Sequence, residues 1–255
     1  MFLTKISILN DNYVWILFNH KKHCIIIDPG ESEITLREIK LKKFYLIAIL
    51  LTHNHFDHVG GVEKILKKFP NTIVFGPKET IKFNINKIVK NGDVIKLLNE
   101  KIYVFFTPGH TLGHVSYYLK PYLFCGDVLF SGGCGRVFQE KYFDMYQSIQ
   151  LINTFPRKTL LCCSHEYTLS NLYFSMSILP NDLLIKKYFK KVKNIIFNNQ
   201  SSLPVYLFLE RKINIFLRTD DIFLKDFLNL KKKSSFEVFK YLRLKKDFFN
   251  GAKRD

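Results

Sequence analysis

Thr52-His53-Asn54-His55-Phe56-Asp57-His58 follows directly on the apolar run Tyr45–Leu51. It sets three imidazoles and a carboxylate into six positions, in a chain with only 8 His among 255 residues. Loops at the ends of strands are where a rigid scaffold presents functional side chains. Imidazole with carboxylate is the donor set that borderline divalent metals such as zinc prefer. Four such ligands are too close together to wrap around one tetrahedral ion. The pattern therefore predicts two metals sharing one loop.

Working outward, three more segments place a His or Asp just past an apolar strand. They are Thr107-Pro108-Gly109-His110-Thr111 after Ile102–Phe106, Gly126-Asp127 after Tyr122–Cys125, and Ser164-His165-Glu166 after Thr159–Cys163. With the first loop they complete seven candidate metal ligands: His53, His55, Asp57, His58, His110, Asp127 and His165. Two ions can share that set if Asp127 bridges them. His114, four residues after His110, reads as a hydrogen-bonding residue rather than a ligand.

The surrounding pattern is that of an α/β protein. Short β-type runs are expected at Phe2–Leu9, Tyr13–Phe18, Cys24–Asp28, Thr72–Phe75, Val94–Leu97 and Val115–Leu119, besides the strands above. Ser32–Lys43 suits an amphipathic helix with Ser32 as its N-cap, and further helices are expected over Val59–Phe69 and Phe143–Thr154. After His165 the texture becomes helical, over Leu169–Leu179, Leu183–Asn198 and Phe236–Leu244. The expected division is a strand-rich metal domain over 1–166 and a smaller helical domain over 167–255.

Composition narrows the function classes. The mean hydropathy of −0.02 suits a globular protein. No apolar run reaches the ~18 residues a membrane span needs, and the first ten residues do not read as a signal peptide. The 5 Cys are odd in number and form no C-x-x-C pair. A reduced, cytoplasmic protein is the simplest reading. The net charge of +17 admits a polyanionic partner. However, only seven of the 39 basic residues are Arg, and the charge is spread along the chain rather than massed in one arm. Compositional bias is the preferred reading, and no nucleic-acid partner is expected.

The H-x-H-x-D-H loop, the T-P-G-H-T-x-G-H segment at Thr107–His114, the Gly126-Asp127 pair and the final His165 resemble the metallo-β-lactamase superfold. More narrowly, Asp11-Asn12-Tyr13-Val14-Trp15, Phe130-Ser131-Gly132-Gly133-Cys134-Gly135-Arg136, His165-Glu166-Tyr167-Thr168 and Asn214-Ile215-Phe216-Leu217-Arg218 resemble glyoxalase II, the hydroxyacylglutathione hydrolases. The ending Leu242-Arg243-Leu244-Lys245-Lys246-Asp247 is similar to the bacterial branch. The resemblance implies an αββα sandwich followed by the helical domain, and hydrolysis of S-D-lactoylglutathione to D-lactate and glutathione in methylglyoxal detoxification.

It further implies two Zn²⁺ per chain, with Fe or Mn as alternatives. His53, His55 and His110 would hold one ion and Asp57, His58 and His165 the other, with Asp127 and a hydroxide bridging them. Asp57 and Asp127 are the catalytic candidates. Arg136, Tyr167, Arg218, Lys245 and Lys246 are the candidate contacts to the glutathione part, whose carboxylates call for basic residues. A monomer is expected. Two positions depart from the family pattern. Phe138 stands where an aromatic hydroxyl is common, and Ser164 stands where Gly is common before the last His. An RNA-processing nuclease, a single-iron persulfide oxygenase and a β-lactamase share the superfold. The later motifs, the seven-ligand set and an Asp at the bridging position favour the thioesterase over them.

Overall fold

The structure, a computed structural model, describes residues 1–251. Its centre is a pair of mixed sheets. The first joins β1 (Phe2–Ile8), β2 (Asn12–Phe18), β3 (His23–Ile27), β4 (Tyr45–Leu50), β5 (Ile73–Gly76) and β6 (Lys87–Ile88) in that order, antiparallel through β3 and parallel beyond it. The second runs from β7 (Val94–Leu97) through β8 (Glu100–Phe106), β9 (Val115–Leu119), β10 (Tyr122–Phe124) and β13 (Leu160–Cys162) to β14 (Val205–Tyr206). A small hairpin of β11 (Leu129–Phe130) and β12 (Gly133–Cys134) stands apart.

The first sheet is buried on both faces, which is why β2 and β3 read as unbroken apolar runs rather than alternating ones. Tyr13, Trp15, Leu17, Ile25, Ile27, Ala48 and Leu50 point between the sheets, where they meet Ile102, Val104, Val115 and Tyr117. Val14, Ile16, Cys24, Ile26 and Ile49 point the other way. They pack under α1 (Glu33–Leu41) and α3 (Val62–Lys68) through Ile39, Val62 and Ile65. On the far side of the second sheet, Phe105 and Tyr118 meet Phe155, just past α4 (Tyr142–Asn153). The layers are therefore helix, sheet, sheet, helix. Helices α5 (Thr168–Ile178), α6 (Leu183–Phe197), α7 (Leu207–Ile213), α8 (Ile222–Phe227) and α9 (Ser235–Gly251) complete the described chain.

Two local expectations change. The helix expected over Val59–Phe69 is two pieces, α2 (Phe56–Val59) and α3, separated at Gly60-Gly61. There the backbone runs against the Pro29–Glu31 turn so closely that a Cβ on Gly61 would lie 2.5 Å from the Pro29 carbonyl oxygen. The metal-binding stretch thus ends in a short helix, and Asp57 and His58 lie on it rather than on a loop. Ser32 is not the side-chain cap of α1. The Glu31 carboxylate accepts from the amides of Glu33 and Ile34 in its place, an anion at the positive end of the helix.

Candidate metal centre

All seven candidate ligands converge on one end of the sandwich, where β4, β8, β10 and β13 stop. The ligand atoms of His53, His55 and His110 lie within 4.8 Å of one another, as do those of Asp57, His58 and His165. Asp127 lies between the groups. Its Oδ2 is 3.4 Å from His110 Nε2, and its Oδ1 is 3.4 Å from both His58 Nε2 and His165 Nε2. His53, His58, His110, Asp127 and His165 are buried, while Asp57 keeps 38% of its side chain exposed.

The outward nitrogens of four imidazoles are held by the protein. Thr52 Oγ1 donates its hydrogen to Asp28 Oδ2 at 2.7 Å. It can therefore only accept from His53 Nδ1, 3.0 Å away. His58 Nδ1 donates to Asp28 Oδ2 at 3.1 Å, His110 Nδ1 to the Arg136 carbonyl at 2.8 Å, and His165 Nδ1 to Asp11 Oδ1 at 2.8 Å. Each bond fixes the proton on Nδ1 and leaves the Nε2 lone pair turned inward, the second layer of support that metal-binding histidines receive. His55 instead turns Nδ1 inward, 3.1 Å from His53 Nε2 and 2.9 Å from His110 Nε2.

A metal pair suits these residues. His58 Nε2 and Asp127 Oδ1 are buried and make no hydrogen bond, although they face each other at 3.4 Å. Orphaned polar atoms in a buried site are costly unless something coordinates them. The electrostatics agree. Burial pushes the His53 and His110 pKa values down. Burial pushes His58 and His165 down as well, but Asp127 and the carboxylates behind them outweigh it and raise both. Asp127 and Asp57, pushed up by burial, are held well below the usual carboxylate range by facing imidazoles. The cluster calls for positive charge at its centre, and an N/O donor set of this kind supplies sites for two divalent cations.

His114 takes no part as a ligand. It is fully buried, faces Thr107 Oγ1 at 3.0 Å and accepts the Asp127 amide at 3.3 Å, thereby fixing the backbone of the central carboxylate. The glycine turn does the same from the other side, since a Cβ on Gly135 would fall 1.8 Å from the Asp127 carbonyl oxygen. Ser164 does not displace His165. Its carbonyl accepts the Tyr13 amide at 2.7 Å, strapping the last ligand loop to the start of β2.

The candidate substrate residues divide. Tyr167 stacks on His165 at 4.6 Å, and burial raises its phenol to about 12, so it is a neutral donor. Arg136 is exposed, with its guanidinium over the Phe138 ring at 5.4 Å. Phe138 shares a cavity of about 570 Å³ with His55, His110, Glu79 and Lys141. Lys245 is exposed on α9, and Lys246 is buried with its ammonium donating to the Ser170 carbonyl.

Arg218 departs from its expected place. Its fork is taken by Asp182 at 2.6 Å and Asp221 at 2.7 Å, and it lines a separate cavity with Leu179 and Phe223. Two carboxylates already match its charge. The arginine that reaches the glycine turn is Arg243, which donates to the carbonyls of Cys134 and Gly135 from a buried position and leaves Nε without a hydrogen-bond partner. Its only signal in the sequence is its place in the Leu242–Asp247 stretch.

A sandwich of this layering with a His/Asp cluster at the strand ends is that of a metalloenzyme, and residues 10–165 match the family model described as the metallo-beta-lactamase superfamily. Residues 166–249 match the model described as the hydroxyacylglutathione hydrolase C-terminus. A hydroxyacylglutathione hydrolase of Buchnera aphidicola subsp. Schizaphis graminum (strain Sg) is 66% identical over 250 residues, which cover 98% of this chain and 100% of the relative. The chain belongs to the hydroxyacylglutathione hydrolase family of that superfamily.

Among solved structures, ETHE1 from Myxococcus xanthus shares the fold with a TM-score of 0.66 at 20% identity, covering 95% of this chain and 90% of its own. TTHA1623, solved in a di-iron-bound form, has a TM-score of 0.53 at 25% identity, covering 65% of this chain and 92% of its own.

Proposed function

We infer that this chain hydrolyses S-D-lactoylglutathione and related hydroxyacylglutathione thioesters to the hydroxy acid and glutathione. The observation that carries the reading is Asp127, whose two oxygens face separate ligand groups at 3.4 Å from each. His53, His55 and His110 would hold one divalent cation and Asp57, His58 and His165 the other, with Asp127 shared. Zinc is the reference metal, and iron or manganese suits the same donors. A cation pair bound there supplies Lewis acidity, lowering the pKa of water and offsetting negative charge on the carbonyl oxygen.

In the reaction, water adds to the thioester carbonyl carbon, the C–S bond breaks, and the sulfur leaves as the glutathione thiolate. A thiolate is a stable enough anion to need little protonation. The chain's own part is to hold the centre rigid and to seat the substrate. Thr52, Asp28, Asp11 and the Arg136 carbonyl fix the imidazole tautomers. The Asp57 carboxylate, with 38% of its side chain exposed, is placed to take the proton released by water. Tyr167 offers a phenol hydrogen beside His165. Arg136 and Lys245 are the exposed basic residues for the glutathione carboxylates, whereas Lys246 is held on the Ser170 carbonyl and Arg243 is matched by Asp247 at 3.0 Å.

On this reading residues 1–166 carry the chemistry and 167–255 supply most of the substrate contacts, in a cytoplasmic monomer. Among the described residues no helix is long and apolar enough to cross a membrane.

The test follows thioester absorbance with purified protein while counting metal in the same sample. Activity should vanish on chelation and return with zinc. Asp127→Ala should lose metal and lower turnover by more than the ~100-fold that loss of an outer support typically costs in metal sites. A wild-type sample holding two metals per chain without turnover would overturn the activity. Asp127→Ala with wild-type metal content and rate would overturn the shared-ligand role.

A further inference from the structure

Two adjacent residues, Asp11 at the end of the β1–β2 connection and Asn12 at the start of β2, serve ligands on two different elements. Asn12 donates its amide to Asp57 Oδ2 at 2.9 Å and faces the Asp57 main-chain oxygen at 3.4 Å. Asp11 accepts from His165 Nδ1 at 2.8 Å. The pair is itself immobilised. The Glu166 amide donates to the Asp11 carbonyl at 2.9 Å, the Tyr13 amide donates to the Ser164 carbonyl at 2.7 Å, and Asn12 pairs with His165 as an isolated antiparallel bridge.

Asp57 is the ligand that needs this help. Its carboxylate is 38% exposed on a helix of four residues, where packing does little to hold one rotamer. Besides the Asn12 amide, its Oδ2 faces the Nε2 atoms of His165 at 3.4 Å and His58 at 3.6 Å, both members of the same ligand group. His165, by contrast, is buried and stacked on Tyr167, but its tautomer rests on Asp11. Neither residue supports His53, His55 or His110; the outward contacts of His53 and His110 come from Thr52 and Arg136.

We propose that Asp11 and Asn12 are positioning residues that set how firmly the Asp57–His58–His165 position holds its cation, leaving the three-imidazole position unaffected. This rests on the ligand roles given above. Outer supports of metal ligands typically carry 10–100-fold in metal affinity, and here the effect should fall on one of two sites.

The experiment loads the full chain with zinc and measures zinc per chain against rising concentrations of a competing chelator. Wild type should hold two. Asn12→Ala should retain one as wild type does and release the other at about 10–100-fold weaker competition. Asp11→Asn, which keeps the shape of the turn, should weaken the same site through His165. The retained zinc reports that the variant is folded, which a general loss of structure would not preserve.

If both variants hold two zincs as wild type does, or release both in parallel, the positioning role is wrong. Asp57→Ala separates the two levels of the argument. If it loses one zinc while Asn12→Ala loses none, only the positioning role fails. If Asp57→Ala itself keeps both at wild-type affinity, the ligand reading fails and takes the proposal with it.

Discussion

Phe138 faces the cavity beside the centre with a ring that carries no hydroxyl. Its centroid lies 5.9 Å from that of His55 and 5.5 Å from that of His110, and it is 42% exposed, so a substrate seated there meets its edge. Phe138→Tyr adds a donor at that edge without changing the packing beneath it. One neutral hydrogen bond contributes about 0.5–1.5 kcal/mol, so KM should fall roughly 2–10-fold with kcat little changed. Unchanged KM would mean that the substrate leaves this edge to solvent.

Side chains of this kind were legible in the sequence to different degrees. The seven ligand candidates stood out because their chemistry is rare and clusters at strand ends. Asp11, Asp28 and Arg243 did not stand out, because a carboxylate behind an imidazole, or a guanidinium under a turn, acquires its meaning only when distant segments meet. Arg218 is marked in the sequence by the family-like stretch Asn214–Arg218, and only the fold reveals that Asp182 and Asp221 already use its charge.

At the scale of elements, the β11–β12 hairpin is gripped by side chains from three helices. Asn171 on α5 donates to the Ser131 carbonyl, and Asn214, which ends α7, donates to the carbonyls of Phe130 and Gly133. Arg243 on α9 binds Cys134 and Gly135. Glu210 on α7 is fully buried and accepts from Ser131 Oγ, the Gly132 amide and Asn214.

Burial raises the Glu210 pKa to about 7, although those three donors pull it down. A carboxyl whose folded pKa is raised binds its proton more tightly when folded. Its contribution to stability is therefore complete below the ordinary Glu range and is lost as pH rises through about 7. Glu210→Gln removes the titration. Its carbonyl can serve Gly132 and Asn214 while its amide donates to Ser131. Zinc-loaded wild type should therefore lose stability relative to Glu210→Gln between about pH 4.5 and 7, by something on the order of a few kcal/mol. Parallel denaturation curves for the two across that range would show that Glu210 stays ionised throughout.

None of this grip was visible as periodicity. Glycines and single polar residues carry no 2.0 or 3.6 repeat, so the sequence displays the strands and long helices but not the short hairpin between them. The same blindness hid the break at Gly60-Gly61, where the apolar pattern and helical dihedrals continue but the Gly61 amide bonds the Pro29 carbonyl instead of the helix's own backbone.

For the whole molecule, the centre and the helical segment are tied through that hairpin. Asp127 leads into it, Arg136 leaves it to orient His110, and three C-terminal helices hold it. The ligands run from residue 53 to residue 165 and meet only in the folded chain, so cations bind the native state in preference to the unfolded one. Zinc at 1,000 times its Kd then stabilises by about 4 kcal/mol per site, which for a chain of this size raises Tm by roughly 8–16 °C. Because the hairpin joins both segments, the shift should appear in all of the molecule at once.

Two probes separate the segments. Trp15 is the sole tryptophan, lies between the sheets and bonds the Cys163 carbonyl, so its fluorescence follows the metal-bearing part. Far-UV circular dichroism is weighted toward α5–α9. Coincident melting by both probes, moved together by zinc, is expected for one cooperative unit. A helical signal that melts at the same temperature with and without zinc, while the fluorescence transition moves, would mean that the hairpin grip does not couple the two. The C-terminal helices would then be a separately folding domain that merely rests against the centre.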